Sequence, residues 1–531
     1  MHGCLAALSL ALGAPGPTST ATVSLPAQGP EVITVHGASA RQNRELSAEA
    51  VTVVGLEDAR SRAADLGEIL ARTQGVAVRR SGGLGADTSF ALNGLTNERI
   101  RFFVDGIPLE LMGYPMGLAN VPVHLVRRVD IYRGVVPIRY GADALGGAID
   151  LVTDDGYLEP STELSYQVGS WGTHRGAATT GFAIDEVGFV ARLEGFADLA
   201  RNNYDIDVEI ADARGRINEV EVERFHDDYQ ALGGTLTLGL VEQEWADKLL
   251  VRAFVTDNER DLQHNVVMTV PYGEVRSHDF AAGGMLRYAI ERSTWSLRLD
   301  GGYTYQATEL FDLSTCIYDW NGRCTAQRRV PGEIDPRPRD QIQKDHTLFI
   351  RAAASWTPLP NHTFSLSLAP TLASRSGNDR LLSDPKVRDP QSAQRELLTT
   401  VAGIDYDARL WDGRLSSITF AKAYYQTARS EEPLPGNVFV ERDRDTERFG
   451  LGTSLRFEIL PGLATKASYE WAARLPRAEE VFGNAVLVGP NLELRPEESH
   501  NVNLGAQVLL VPDESETPQE RELVAVVDEV R

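Results

Sequence analysis

The sequence predicts an α+β domain that is followed by an antiparallel transmembrane β-barrel. The first observation is a period-two alternation of apolar and polar side chains through residues 160–511, which is the pattern of strands with one apolar face. The second is that no run of about 18 apolar residues occurs, which excludes a transmembrane helix. The third is the different character of residues 45–155, where glycines and β-branched residues crowd around one well-marked helix.

Composition narrows the class of protein further. The 531 residues carry 52 Lys and Arg against 75 Asp and Glu, a formal net charge of −23, whereas nucleic-acid binders usually carry a basic patch. Three cysteines are too few for a disulfide scaffold or a multi-cysteine zinc module. The spacings typical of hydrolases, transferases and nucleotide-binding proteins are absent. We therefore expect neither an enzyme nor a nucleic-acid partner.

Residues 1–21 resemble a secretory signal peptide. An apolar run over residues 5–12 precedes a Pro/Gly segment and the small residues 18–21, as in the apolar and cleavage regions of such signals. No Lys or Arg precedes the apolar run, so the alternatives are a poorly ordered terminus and a wrongly assigned start. We expect export.

Cys316 and Cys324 lie eight positions apart in a stretch rich in Pro, Gly and charge. In a cytosolic protein they would be two unused thiols. In an exported protein they could close a loop, which contributes roughly 2–3 kcal/mol in the chain-entropy model. We predict that the two cysteines are bonded in the mature protein.

The helix is the best-marked element of residues 45–155. Asp65 is a candidate N-cap with Glu68 three residues later, which is a capping box. Leu66 and Leu70 belong to the buried face, and Gly75 ends the helix. Strands are predicted at residues 76–80, 88–93, 99–104, 126–132 and 148–152.

Strand length and loop length indicate a membrane barrel in residues 160–511. We count about 14 alternating segments of roughly 10–18 residues, longer than the strands of about 5–6 residues in soluble sheets. The connections at residues 358–362 and 460–463 are tight, whereas others are long and polar, namely residues 201–223, 261–276, 312–345 and 377–395. Short turns on one side and long loops on the other are typical of outer-membrane barrels. No fixed repeat favours a solenoid or propeller.

The motifs of the chain resemble, in order, those of TonB-dependent outer-membrane receptors. In the N-terminal domain, called the plug in that family, they are residues 31–37, 65–78, 93–94, 104–109, 126–134 and 139–149. Asn93 replaces the Arg of the family's Arg-Gly. Late in the barrel, residues 475–483 and 490–497 resemble the family's two barrel boxes. A single Asp-Gly or Gly-Gly would be weak evidence of a resemblance. By the ordered set of motifs, the chain is identified as a member of the family.

The resemblance implies that residues 31–37 are a TonB box, the segment that binds the partner protein TonB. Its binding residues would be Glu31, Val32, Ile33, Thr34 and Val35. A flexible β-branched segment can add to a partner's sheet as an edge strand. The alternative is an ordinary first strand of the plug.

The resemblance also places substrate contacts in two plug loops, residues 81–87 and 110–117. The candidate residues are Leu84, Asp87, Glu110, Met112, Tyr114 and Met116. Aromatic and thioether groups suit a bulky chelate better than a bare ion, which needs clustered His or carboxylate ligands. The alternative is that the methionines only pack the loop. We expect no catalytic residue, no metal ligand and no resident cofactor.

The function that the resemblance implies is active uptake of a ferric chelate, a siderophore or ferric citrate, through the outer membrane of a Gram-negative bacterium. The partners would be TonB with its inner-membrane energising complex, the iron chelate and outer-membrane lipid. One alternative is a receptor for cobalamin, haem or another metallophore. From a different class, the alternatives are a passive porin or adhesin barrel and a non-functional fragment.

The end of the chain carries one further expectation. Plugged outer-membrane transporters have about 22 strands, more than the alternating segments provide. Residues 512–531 form an acidic tail in which we expect no spanning strand. Because unpaired strand edges in lipid cost several kcal/mol per group, we expect the barrel to be incomplete and the chain to be a fragment or a frameshifted reading.

Overall fold

The computed structural model describes residues 44, 46–56, 66–113, 118, 121, 123–153, 157, 160–212, 214–384, 386–484, 488–509 and 524–529. Within these residues, no helix combines the length and the apolar character needed to cross a membrane. The predicted signal peptide, the TonB-box-like segment and the N-cap Asp65 lie outside the described residues.

The plug contains one short helix and two small sheets. Its elements in chain order are β1 Val51–Gly55, α1 Leu66–Ala71, β2 Val76–Arg80, β3 Thr88–Leu92, β4 Leu95–Thr96, β5 Ile100–Val104, β6 Ile107–Pro108, β7 Val126–Arg133 and β8 Gly147–Thr153. One sheet has the order β1-β7-β8-β5-β6, with β5 and β8 parallel, and the other has the order β2-β3-β4. The helix and the five predicted strands are confirmed, whereas β1, β4 and β6 were not predicted because they are short or weakly alternating.

The plug core explains why these elements form where they do. Leu66 and Leu70 of α1 are buried with Leu92, Ile107 and Ile149 in one apolar cluster. The helix ends at Ala71, before the predicted end at Gly75, and Gly75 at φ +75° lies in the following turn, in which Val76 N donates to Thr73 O at 3.1 Å. Between β5 and β6, residues 105 and 106 both have positive φ, the conformation of a two-residue hairpin turn for which Asp-Gly is favoured.

Long antiparallel strands form the barrel. In chain order the remaining elements are β9 Thr162–Gly169, β10 Thr173–Ile184, β11 Phe189–Ala200, β12 Asp205–Ala211, β13 Ile217–Glu223, β14 Tyr229–Gln243, β15 Ala246–Asp261, β16 Arg276–Glu291, β17 Trp295–Asp312, β18 Cys316–Tyr318, β19 Cys324–Gln327, β20 Arg339–Leu359, β21 His362–Asp379, β22 Arg395–Leu410, β23 Leu415–Leu434, β24 Val438–Leu460, β25 Leu463–Arg474, α2 Ala478–Phe482, β26 Glu497–Leu509 and β27 Val524–Glu529. Without the loop hairpins β12–β13 and β18–β19, the described residues form one sheet of 15 strands from β9 to β27, each paired with the next.

The number of strands and the unequal lengths of the connections at the two ends agree with the prediction from sequence. The described part of the sheet contains the 14 expected strands, β9 to β26, and one more, β27. Tight turns at residues 360–361, 411–414 and 461–462 lie at one end, and the connections at residues 262–275 and 313–338 lie at the other. We call these the short-turn end and the long-loop end.

One detail of the sequence-based description is wrong. The connections at residues 201–223 and 312–345 are not plain loops, because they fold into the hairpins β12–β13 and β18–β19. The acidic tail contains the short strand β27, which pairs with β26 over six residues. A run this short escapes the periodicity criterion and stays below the about 9–11 residues that span a bilayer, so the described residues of the tail contain no spanning strand, as expected. The expectation of further, missing strands stays a prediction.

The barrel presents apolar side chains outward and polar side chains toward the plug. Leu366, Phe449 and Leu504 are 59%, 65% and 60% exposed on the outer face. In contrast, the inward-facing side chains of Lys422 on β23 and Glu470 on β25 are almost fully buried. Apolar side chains that point outward at every second position suit the hydrocarbon core of a bilayer. The alternation therefore sets which face meets lipid and which face holds the plug.

Candidate functional site

A cavity of about 1140 Å³ lies between the plug and the long-loop end of the barrel. The plug contributes residues near 79–87, 101–111 and 141–143, and the barrel contributes strand residues from β15 to β22 and loop residues near 224–227, 262–272 and 476–484. Cavities of roughly 300–1,000 Å³ hold drug-sized ligands. The volume is therefore large enough for a metal chelate with its organic ligand.

The cavity wall is polar and richer in positive than in negative charge. It carries eight arginines against six carboxylates, in a chain whose overall formal charge is −23. Amide and hydroxyl groups fill much of the remaining described wall, including Gln306, Gln341, Gln343, Gln391, Thr308, Thr347, Thr371 and Thr399. Phe103 and Tyr272 are the aromatic residues other than His264 among the described lining residues. The wall can offer many hydrogen-bond donors to an oxygen-rich anion.

Most of the wall arginines are held by carboxylates. Arg101 donates to Asp143 at 2.6 Å, and Arg375 donates to Asp345 at 2.7 Å. Arg260 connects the barrel to the plug, because its guanidinium lies 3.2 Å from the carboxylate of Asp87. These pairs fix the guanidinium planes, so the wall is organised before a ligand arrives.

Arg224 lies where the β12–β13 hairpin meets the cavity. Arg224 lies 3.1 Å from Asp227 and donates to the hydroxyl of Tyr204 at 2.9 Å. Burial raises the pKa of the Asp227 carboxyl to about 6, against the opposing effect of Arg224 and Arg260. The charge of this part of the wall therefore changes within a physiological pH range.

The glycine-rich plug loop, residues 81–87, is held by the barrel. The amide of Asn202 accepts from Leu84 N at 3.1 Å and donates to Leu84 O at 2.9 Å. A Cβ on Gly83 would lie 2.1 Å from the Asn202 amide oxygen, and one on Gly85, at φ +82°, would lie 2.1 Å from the ring of Tyr229. The close approach of these barrel side chains to the loop backbone therefore requires glycine at both positions.

The structure divides the substrate-binding residues predicted from sequence. Asp87 and Glu110 line the cavity. Leu84 packs beside the Phe196–Tyr229 cluster, and Met112 is buried in the plug core at 4% exposure, so neither forms part of the described wall. Met112 thus has the packing role that was the alternative interpretation. Tyr114, Met116 and the TonB-box residues 31–35 lie outside the described residues.

Sequence reasoning missed the barrel arginines of the wall. Arg260, Arg351 and Arg375 each occupy an inward position of a strand. The available signal was an Arg on the polar face of an alternating segment, but this signal also occurs at plug-contacting positions such as Arg287 and Arg298. The wall arginines and the plug-contacting arginines differ in their position along the barrel axis. The alternation of a strand does not show where along that axis a residue lies.

The long-loop end carries a packed cap above the cavity. Val208 of β12, Val222 of β13 and Trp320 of the β18–β19 turn share one buried apolar cluster. Cys316 and Cys324 form a disulfide bond across the β18–β19 hairpin. Because three separate chain segments share this cluster, the hairpins form a joint structure rather than independent loops.

Comparison with known proteins agrees with this architecture. Residues 43–148 match the family model of the TonB-dependent receptor plug domain. The copper transporter OprC is similar with a TM-score of 0.64 at 14% identity, over 87% of this chain and 69% of that one. The ferric citrate transporter FecA, unliganded, is similar with a TM-score of 0.62 at 15% identity, over 88% and 69%. The ferric yersiniabactin uptake receptor FyuA from Yersinia pestis gives 0.59 at 13% identity, over 87% and 70%.

Proposed function

We propose that this chain, a TonB-dependent outer-membrane receptor by its plug domain and its barrel fold, imports an anionic ferric chelate. The observation that carries the proposal is the cavity between plug and barrel, with its excess of arginine over carboxylate. An excess of positive charge in an otherwise acidic protein attracts and holds anions. Of the substrates expected from sequence, ferric citrate and anionic siderophores fit this wall.

The chemistry of the wall favours an oxygen-rich chelate over a large aromatic one. Guanidinium, amide and hydroxyl groups are directional donors to carboxylate and hydroxyl oxygens. Haem presents a wide apolar surface, which binding sites usually cover with apolar and aromatic side chains. Solved structures of similar fold include copper, ferric citrate and ferric yersiniabactin proteins and a hemophore receptor in complex with haem, so the choice of substrate rests on the chemistry of the wall and not on the fold.

The proposed mechanism couples the cavity to TonB through the N-terminal end of the plug. Residues 31–37 would bind TonB as an added strand, and a pull would reach the plug through the segment before β1. There the Glu49 carboxylate accepts from Arg139, and Arg44 lies 3.2 Å from Asp130. Despite its burial, the Arg139 guanidinium holds the pKa of Glu49 below its ordinary value. The first contacts to break would be ionic.

A transport assay tests the proposed function. A strain lacking its own receptors is complemented with the chain, and uptake of radioactive iron is measured for ferric citrate, ferric siderophores, haem and cobalamin with their own labels. We expect uptake of an anionic ferric chelate, and we expect deletion of residues 31–37 to abolish uptake while binding at the cell surface remains. Uptake that survives the deletion contradicts energised transport and favours a passive barrel.

A further inference from the structure

Arg351 is the cavity residue of β20 that lies nearest the short-turn end. The cavity residues Gln341, Gln343, Asp345 and Thr347 lie farther toward the long-loop end of the same strand. Beside it the plug touches the barrel, because a Cβ on Gly141 would lie 2.2 Å from Cβ of Ala369 and 3.9 Å from Cδ of Arg351. Arg351 therefore lies at the floor of the cavity, where the plug closes it.

The guanidinium of Arg351 is held by neutral acceptors. Its Nη1 donates to Ile350 O at 3.1 Å, to Pro370 O at 3.2 Å and to Thr371 Oγ1 at 3.0 Å. Among the described residues these three neutral oxygens are its hydrogen-bond acceptors, no carboxylate lies within an ion-pair distance of 4.0 Å, and its buried Nε has no hydrogen-bond partner. The cation is thus fixed in position, and Glu110, Asp143 and Asp300 act on its charge only from beyond ion-pair distance.

The neighbouring carboxylates are already engaged by another arginine. Asp143 accepts from both Nε and Nη2 of Arg101, at 3.0 and 2.6 Å, and Glu110 lies 3.9 Å from the same guanidinium. Leu475 N also donates to Asp143 at 3.1 Å. These contacts engage both carboxylates with Arg101, which leaves Arg351 as a cation of the cavity floor without an ion pair of its own among the described residues.

We propose that Arg351 is the anion-recognition residue of this cavity and binds an ionised carboxylate of the chelate, so that the substrate class is a carboxylate-type ferric chelate. A partly buried cation without an ion-pair partner is costly, and an anionic guest lowers that cost. A carboxylate can accept from Nη2, the terminal nitrogen of the guanidinium that makes none of these hydrogen bonds. The inference rests on the proposed function and specifies its substrate.

The floor also disfavours a catecholate chelate. Small residues line it beside Arg351, namely Gly141, Ala142 and Ala369. An aromatic catechol ring gains most from stacking on aromatic faces, and these small side chains provide none. A carboxylate can accept from Nη2–H without such a face.

The test measures chelate binding to the purified full chain and to three variants. The probes are ferric dicitrate, a neutral ferric tris-hydroxamate and an anionic ferric tris-catecholate, measured by equilibrium titration in detergent. The variants are Arg351→Gln, Arg351→Lys and, as the matched control, Arg380→Gln, an arginine that pairs with Glu309 and Asp340 outside the cavity lining. Heat-modifiable migration on gels reports whether each barrel is folded.

We expect the wild type to bind ferric dicitrate most tightly. Loss of a charged hydrogen bond predicts that Arg351→Gln weakens this binding about 10- to 100-fold, while Arg351→Lys loses less and Arg380→Gln is unchanged. If Arg351→Gln does not fold, a weakened Arg351→Lys supports the proposal and an unchanged Arg351→Lys overturns it, because a lysine keeps the charge without the fork.

Two other outcomes separate the inference from the function on which it rests. A wild type that binds the catecholate or the neutral hydroxamate more tightly than ferric dicitrate, or a folded Arg351→Gln with unchanged ferric dicitrate affinity, overturns the role of Arg351 and leaves chelate uptake standing. A folded wild type that binds none of the three chelates overturns the proposed function and the inference together.

Discussion

Replacing Lys422 by methionine removes one half of a buried ion pair that holds the plug against the barrel wall. Lys422 of β23 and Glu470 of β25 lie 2.7 Å apart, with side chains 2% and 1% exposed. Between them they satisfy both backbone groups of the plug residue Val136, because Lys422 donates to Val136 O at 2.7 Å and Glu470 accepts from Val136 N at 3.2 Å. The backbone of this one plug residue is thus clamped by the barrel on both sides.

The loss of stability depends on which buried groups each variant leaves without a partner. Lys422→Met leaves the buried Glu470 carboxylate without its cation and Val136 O without its donor, and breaking a buried pair in this way costs about 3–5 kcal/mol. This cost corresponds to roughly a 150- to 4,000-fold rise in the equilibrium constant for opening the clamp. The double variant Lys422→Met with Glu470→Met leaves no charge and strands only the Val136 peptide, at about 1–3 kcal/mol per group. It should therefore be more stable than Lys422→Met alone.

Hydrogen exchange of the plug residues 134–147, followed by mass spectrometry on the folded receptor in detergent, measures this opening directly. The control is Arg388→Gln, which breaks the exposed pair with Glu431 and should change stability by at most about 1 kcal/mol. A Lys422→Met variant that exchanges at the rate of the control, or a double variant that opens more readily than the single one, refutes the reasoning.

The remaining predictions concern the loops and the cavity. Cys316 and Cys324 should resist alkylation in an unreduced, exported sample and react after reduction; two alkylatable thiols without reductant would contradict the bond. Affinity for an anionic chelate should rise several-fold as the pH falls through about 6, the pKa of Asp227, because protonation leaves the wall more positive; Asp227→Asn should remove this step in a binding titration across pH 5–8. Gly83→Ala should loosen the plug loop, because its Cβ would lie 2.1 Å from the Asn202 amide oxygen, and limited proteolysis should then cleave residues 81–87 faster; an unchanged cleavage rate would mean that the loop tolerates a side chain.

Elements whose signal is local were predictable. The helix at Leu66–Ala71 and the long strands such as β17 follow from periodicity, because side-chain burial repeats along one continuous segment. The short strands β1 and β27 were missed because five or six residues cannot display a convincing period. Their pairing with β7 and β26 depends on partners that lie far away in the chain.

The candidate site was predictable only in part. Asp87 and Glu110 line the cavity as expected, because they lie on plug loops that the family resemblance identifies. Met112 lies on the same predicted loop as Glu110 and was chosen for its thioether, but its neighbours bury it in the plug core. Arg351 was not recognised, because its significance is the lack of an ion-pair partner among the described residues. Such a lack is a property of three-dimensional neighbours.

The sequence by itself determined the order of plug and barrel, the number of long strands and the face of each strand that meets lipid. It could do so because turn residues and period-two alternation act between residues that are close in the chain. Only the tertiary structure decided that residues between 79 and 484 form one cavity wall, which arginines are neutralised there, and which peptide the Lys422–Glu470 pair clamps. These outcomes depend on the height of each side chain in the barrel and on how strands far apart in sequence lie against the plug, and Coulomb and hydrogen-bond energies depend on those distances.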